Sequence, residues 1–155
     1  MFAPVEYDLC PLTAKDEPIL WEMLYEALRP AEDIEPPRTI LQRPEYAHYV
    51  EGWGQAGDTG FIAHGKEHAM PLGAVWLRTP ADQETVPELA FVVKPGYRQH
   101  GIGASLLTQM MRANPQLSAI SLRMGADSPA VRLFGRFGFE IAEKSDVAVV
   151  MRREI

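Results

Sequence analysis

The chain holds one cysteine, Cys10, among its 155 residues, so no internal disulfide can form. That economy suits a reducing compartment, and a cytoplasmic location is expected. No apolar run is long enough to cross a bilayer, so no membrane partner is expected. The opening segment Met1-Phe2-Ala3-Pro4-Val5-Glu6 lacks the basic start and apolar stretch of a signal peptide. Positive charge is also scarce: 15 Lys and Arg against 21 Asp and Glu leave a formal net charge of -6. This disfavours nucleic acid as the main partner, because phosphate-backbone binding needs a basic surface. A small anionic ligand held by a local site remains compatible with it. The apolar share of 46% and the charged share of 23% are those of a globular chain. The length suits one domain, expected over residues 1–155, with one substantial core.

Patterning along the chain alternates helix and strand signals. Tyr7-Asp8-Leu9-Cys10-Pro11-Leu12 reads as a short opening strand. Residues 16–28 carry Ile19, Leu20, Met23, Leu24, Ala27 and Leu28 at helical spacing, with Thr13 or Asp16 as cap and Pro18 in the first turn. The acidic, proline-rich stretch after it predicts an irregular loop over 29–44. A second helix is predicted over 44–53, ending at Gly54. Residues 61–63 and 72–77 form a predicted hairpin with a long loop that contains His64 and His68. Residues 88–93, Glu88-Leu89-Ala90-Phe91-Val92-Val93, read as a strand buried on both faces. A helix over 101–113, a strand over 120–124, a helix opened by Ser128-Pro129, and closing strands at 139–141 and 147–151 complete the order. The fold class expected is mixed α/β, with a central, mostly antiparallel sheet flanked by helices.

Chemistry concentrates at Val93-Lys94-Pro95-Gly96-Tyr97-Arg98-Gln99-His100-Gly101-Ile102-Gly103-Ala104-Ser105. A buried strand stops there, and two glycines stand where a helix begins. The first helical turn leaves backbone N–H groups unpaired and carries partial positive charge. Glycine lets a phosphate approach them, and Arg98 adds a cation suited to phosphate oxygens. The same glycines also serve close helix–strand packing, and the same arginine also serves as a solvated charge. A dinucleotide fingerprint would place a third glycine where Leu106 stands, and the Gly-Lys-Ser/Thr of a P-loop is absent.

Arg98-x-x-Gly101-x-Gly103 resembles the Arg/Gln-x-x-Gly-x-Gly/Ala signature of the GNAT superfamily of N-acetyltransferases. The segment from Asp127 through Ala130, Leu133 and Phe134 to Gly138-Phe139 is similar to that family's second cofactor segment, and the element order agrees. The resemblance implies acetyl-CoA (coenzyme A) as cofactor. It implies pantetheine pairing along Phe91, Val92 and Val93. Backbone N–H groups of Gln99, His100, Gly101, Ile102, Gly103 and Ala104, with the Arg98 side chain, would hold the pyrophosphate, and Asp127 would accept from a pantetheine amide. It further implies direct attack by an amine of a small molecule or protein, without a covalent enzyme intermediate. Glu88 would serve as catalytic base through water, against the alternative of a strand-end charge. Two positions depart from the family pattern: Phe134 replaces a tyrosine that donates a proton, and Asp127 replaces an asparagine. A CoA-binding regulatory module without turnover, or an interaction protein using the fold alone, are the alternatives.

Other features weigh less. His64 and His68 lack a third ligand, so no metal is expected. His48 and His100 read as surface or packing residues. Trp21, Trp53, Trp76, Tyr25, Tyr46 and Tyr49 read as core before pocket lining. Glu22, Glu26, Glu32, Asp33 and Glu35 offer an acidic approach to cationic amines, or else a solvated face. The late strands offer an edge for a homodimer.

Overall fold

The computed structural model describes residues 6–29, 33–66, 70–78, 86–98 and 100–154. Strand β1 (Tyr7–Pro11) leads into a 3-10 turn whose cap is reciprocal: Lys15 N–H donates to Thr13 Oγ1 at 3.3 Å and Thr13 N–H to Asp16 Oδ2 at 2.7 Å. Both expected cap residues are therefore used, as a capping box. Helix α1 (Glu17–Leu28) follows and buries Leu20, Met23, Leu24 and Tyr25. Residues 38–42, within the expected loop, wind into a further 3-10 turn.

Helix α2 (Pro44–Ala47) is a single turn, shorter than the predicted 44–53. The reason lies in its neighbours. Past Ala47 the backbone carbonyls go to side chains from elsewhere: Trp76 Nε1 donates to Tyr49 O at 2.8 Å, and Arg78 Nη1 to Glu51 O at 2.6 Å. Gly52 then turns the chain with φ 75°.

Strands β2 (Thr59–Gly65), β3 (Pro71–Leu77) and β4 (Leu89–Val93) complete an antiparallel sheet in the order β1-β2-β3-β4. His64 belongs to β2, not to the expected loop, while His68 lies outside the described residues. Period-two alternation divides the sheet between two apolar layers. Phe61, Val75, Leu89 and Val93 pack with Ile102, Leu106, Leu107 and Met110 of helix α3 (Ile102–Ala113). Ile62, Ala74, Trp76, Ala90 and Val92 pack instead with Leu20, Met23 and Leu24 of α1, together with Val50 and Trp53. Strand β4 is thus covered on both faces, as its continuous apolar run predicts.

The remaining strands, β5 (Ala119–Gly125), β6 (Glu140–Lys144) and β7 (Ala148–Glu154), form a separate antiparallel sheet in the order β5-β7-β6. Helix α4 (Ala130–Arg136) connects β5 to β6. Side chains of both sheets share one core, with Val75 and Leu89 packed in the same cluster as Ile120 and Leu122. Among the described residues their backbones are bridged at one point: Glu88 and Ser121 form a parallel bridge, and Ser121 N–H donates to Pro87 O at 2.9 Å. Beyond that bridge β4 and β5 share no further ladder pair among the described residues, and the expected central sheet parts there. No helix among the described residues is long and apolar enough to cross a membrane.

Candidate active site

The parting of β4 from β5 leaves half of β4's backbone without a sheet partner. Lys94 N–H donates to Leu72 O at 2.9 Å, and β4 pairs with β3 in the register Val92–Ala74 and Ala90–Trp76. Because successive residues point their polar groups to opposite edges, Val92 and Ala90 face β3. Leu89, Phe91 and Val93 therefore face the gap. Of the three strand residues singled out in the sequence, Phe91 and Val93 offer backbone groups there and Val92 does not. Val93 O already accepts from Arg98 Nε at 3.2 Å, which folds the guanidinium back against the end of β4.

The two glycines of the junction do different work. Gly101 stands at the N-cap of α3 with φ 78°, and a Cβ added there would meet no atom within 4 Å. It combines a left-handed backbone with open space in front of the helix. Gly103 is crowded: its Cβ would stand 2.9 Å from Phe91 Cζ and 3.2 Å from Leu133 Cδ2. Gly103 thus serves close packing, and Gly101 leaves open space in front of the helix. The first bond of α3 runs from Ser105 N–H to Gly101 O at 3.0 Å, so the N–H groups of Ile102, Gly103 and Ala104 precede the helical ladder. Ser105 Oγ is bonded to the Tyr7 hydroxyl at 2.7 Å, which ties the helix start to β1. His100 is exposed beside this turn, and Gln99 lies outside the described residues. An open left-handed cap, three N–H groups without helical partners and a nearby guanidinium fit a pyrophosphate.

At the opposite end of β4, where the sheets meet, Glu88 faces a cavity of about 570 Å³. The Tyr49 hydroxyl donates to Glu88 Oε1 at 2.6 Å. Burial, then the hydrogen bond to Glu88, push the Tyr49 pKa far above the usual tyrosine value, so this phenol keeps its proton and acts as a donor. His48 lies against the Tyr49 ring with centroids 4.1 Å apart. Arg78 and Asp58 close one side; Asp58 also accepts from the Gly54 and Gln55 N–H groups, each at 3.1 Å. Ser121 and Arg123 of β5 form the facing wall.

Arg123 lines the cavity without being singled out in the sequence; Tyr49, weighed there as core before pocket lining, and His48, read as a surface or packing residue, line it too. Their only sequence signal is proximity to aromatic or strand patterns, which core residues share. Trp53, Trp76 and Tyr25 are buried as expected, with Trp53 Nε1 bonded to Thr13 O at 2.9 Å and the Tyr25 hydroxyl to Pro36 O at 2.6 Å. The acidic residues before the second helix stay apart from the cavity. Glu22 pairs with Arg38 and Glu26 with Arg29, Asp33 and Glu35 are exposed, and Glu32 lies outside the described residues.

Asp127 is exposed in the turn after β5. The cap of α4 comes from Ser128, whose Oγ accepts from Ala130 N–H at 3.2 Å. Phe134 is 0% exposed and stands edge-on to Phe91 and Phe139, with centroids 5.1 Å and 5.2 Å away. The residue in the expected acid position is thus a buried link between β4 and α4.

Solved structures share this fold. PaiA N-acetyltransferase from Thermoplasma acidophilum in complex with coenzyme A superposes with a TM-score of 0.69 at 17% identity, covering 97% of this chain and 99% of that one. An acetyltransferase of the GNAT family from Staphylococcus aureus gives 0.69 at 18% identity, with 96% and 99% covered. The ribosomal-protein-S18-alanine N-acetyltransferase of Escherichia coli gives 0.67 at 16% identity, with 97% and 94% covered. A search among curated proteins finds no significant match. The sequence model of the acetyltransferase (GNAT) family matches residues 21–139, and the chain belongs to this family of acetyl-CoA-dependent N-acetyltransferases.

Proposed function

We propose that this acetyltransferase acetylates an amine that enters the cavity beside Glu88, with Glu88 accepting the proton that the amine gives up. With acetyl-CoA bound, the acceptor nitrogen would add directly to the acetyl carbonyl carbon, and the carbon–sulfur bond would then break with its electron pair leaving on sulfur. Acetyl-CoA supplies the activated acyl group when bound. The chain's part is to hold, orient and deprotonate. The Arg98 guanidinium and the N–H groups from His100 to Ala104 would hold the pyrophosphate, with Gln99 included from the signature. The backbone groups of Phe91 and the N–H of Val93 would pair with the pantetheine arm, and an N–H of this strand would polarise the thioester carbonyl. Asp127 belongs to the same cofactor segment by its place in the family pattern.

One observation carries this reading. Strand β4 is preceded by a hydrogen-bonded carboxylate, Glu88, at the closed end of the inter-sheet gap, and it leaves the Phe91 backbone and the Val93 N–H without a strand partner where the gap opens. The coenzyme A complex of the Thermoplasma acidophilum neighbour supports the cofactor assignment. The Escherichia coli neighbour, named for acetylation of a ribosomal protein, supports keeping a protein amine beside small molecules in the acceptor class. Phe134 offers no proton to the departing thiolate. A coenzyme A thiolate is a stable leaving group, and solvent protonates it.

The test is release of free CoA thiol against a panel of amines, with acetyl-CoA binding followed separately by calorimetry. Amine-dependent release supports the proposal. Binding without release on any amine would leave only a cofactor-binding module.

A further inference from the structure

The cavity beside Glu88 contains more charge than proton removal needs, and that charge has a pattern. Arg78 is consumed: it bonds Asp58 at 3.2 Å, Glu51 O at 2.6 Å and His48 O at 3.4 Å. Asp58 is consumed by Arg78 and by two backbone N–H groups. Arg123 is different. It lines the cavity, is exposed to it, and has no hydrogen bond or ion pair among the described residues.

Register fixes where Arg123 points. Ser121 forms the bridge with Glu88, and Arg123 stands two residues further along β5, so both present the same face about 7 Å apart. Arg123 is paired with Val150 on β7, and Val150 in turn with Glu143 on β6. Arg123, Val150 and Glu143 thus form one cross-strand row, and all three line the cavity. Val150 separates the two charges by about 10 Å of backbone, two strand spacings. Arg123 also lies within electrostatic reach of the Tyr49 hydroxyl that holds Glu88. Among the described residues the site therefore sets an engaged carboxylate, Glu88, and a guanidinium without a partner, Arg123, on either side of one opening.

We infer that the acceptor is an amino acid or similar small aminocarboxylate, whose carboxylate is held by Arg123 while its amine faces Glu88. This rests on the transferase reading above and narrows it. A guanidinium presents paired N–H donors that match a carboxylate. A simple anion would meet the Glu88 and Glu143 carboxylates. A diamine would have to lie beside an unpaired cation. A molecule that carries an amine and a carboxylate on one carbon satisfies both walls at once.

The experiment compares thiol release with α-amino acids, their α-amides and short diamines, for the native chain, Arg123→Gln and Arg123→Lys. The native chain is expected to prefer the acid over its amide by about 10- to 100-fold in kcat/KM, the usual effect of a hydrogen bond to a charged group. Arg123→Gln should collapse that ratio toward one, mainly through the KM of the acid. Arg123→Lys should restore part of it, and acetyl-CoA affinity by calorimetry should not follow the change. Equal use of acids and amides by the native chain would overturn the inference, as would turnover of diamines alone or a ratio untouched by Arg123→Gln. In those cases the transferase reading survives. Absence of thiol release with every amine would overturn both together.

Discussion

The Tyr49 hydroxyl and the Glu88 carboxylate, 39 residues apart in sequence, are joined by a hydrogen bond of 2.6 Å. The bond links the irregular segment after α2 to the start of β4 and gives the candidate base a fixed orientation. Tyr49→Phe removes the donor and leaves the ring. It should lower kcat/KM about tenfold, the effect of one hydrogen bond to a charged group, while acetyl-CoA binding persists.

The same bond predicts a pH dependence of stability. An unfolded tyrosine titrates near ~10. The native Tyr49 pKa is raised, by burial first and by Glu88 second. Above about pH 10 the native state therefore binds more protons at this site than the unfolded state does. The stabilisation is complete below that pH and is lost as pH climbs toward the native value. Thermal melts from about pH 9 to 11 should show native Tm falling more steeply than that of Tyr49→Phe. Parallel curves would contradict the assignment.

The paired glycines should separate by assay. Gly103→Ala drives a methyl to 2.9 Å from the Phe91 ring, so it should destabilise the fold by about 1–3 kcal/mol in a denaturant titration. Gly101→Ala meets no atom within 4 Å and costs only the strain of φ 78°. That is about 1 kcal/mol. Its larger effect should be on acetyl-CoA affinity. Equal stability losses without an affinity difference would contradict the division of labour.

Phe134→Tyr tests the position where the family pattern places a proton donor. The ring is fully buried against Phe91 and Phe139. A hydroxyl there enters an apolar environment and should cost about 1–3 kcal/mol of stability without raising kcat. A severalfold rise in kcat would show that the ring edge faces the departing thiol.

The order of elements, the double-sided burial of β4 and the glycine junction are legible in the sequence because each is a local pattern. Leu89 to Val93 is a continuous apolar run, and Gly101 and Gly103 flank a helix start. Glu88 is legible by its place on that strand. Arg123 is not, and Tyr49 is legible only as an aromatic that reads as core before pocket lining, because each owes its position to a partner on another element. Arg123 acquires its place through strand register with Val150 and through the bridge at Ser121. The length of α2 is illegible for the same reason: the carbonyls that would extend it are taken by Trp76 and Arg78 from β3 and its end. The acidic stretch misleads in the other direction, since its charge is dense in sequence yet Glu22 and Glu26 on α1 are met by Arg38 and Arg29.

The most direct test is the rate of CoA thiol release by Glu88→Gln at saturating acetyl-CoA, relative to the native chain. Glutamine keeps the shape and can still accept from Tyr49, but it cannot take a proton. A 100- to 1,000-fold loss of kcat, roughly the contribution of a general base, with acetyl-CoA affinity unchanged, is the predicted result. Retention of activity within about threefold of native would contradict the assignment of Glu88 as the base.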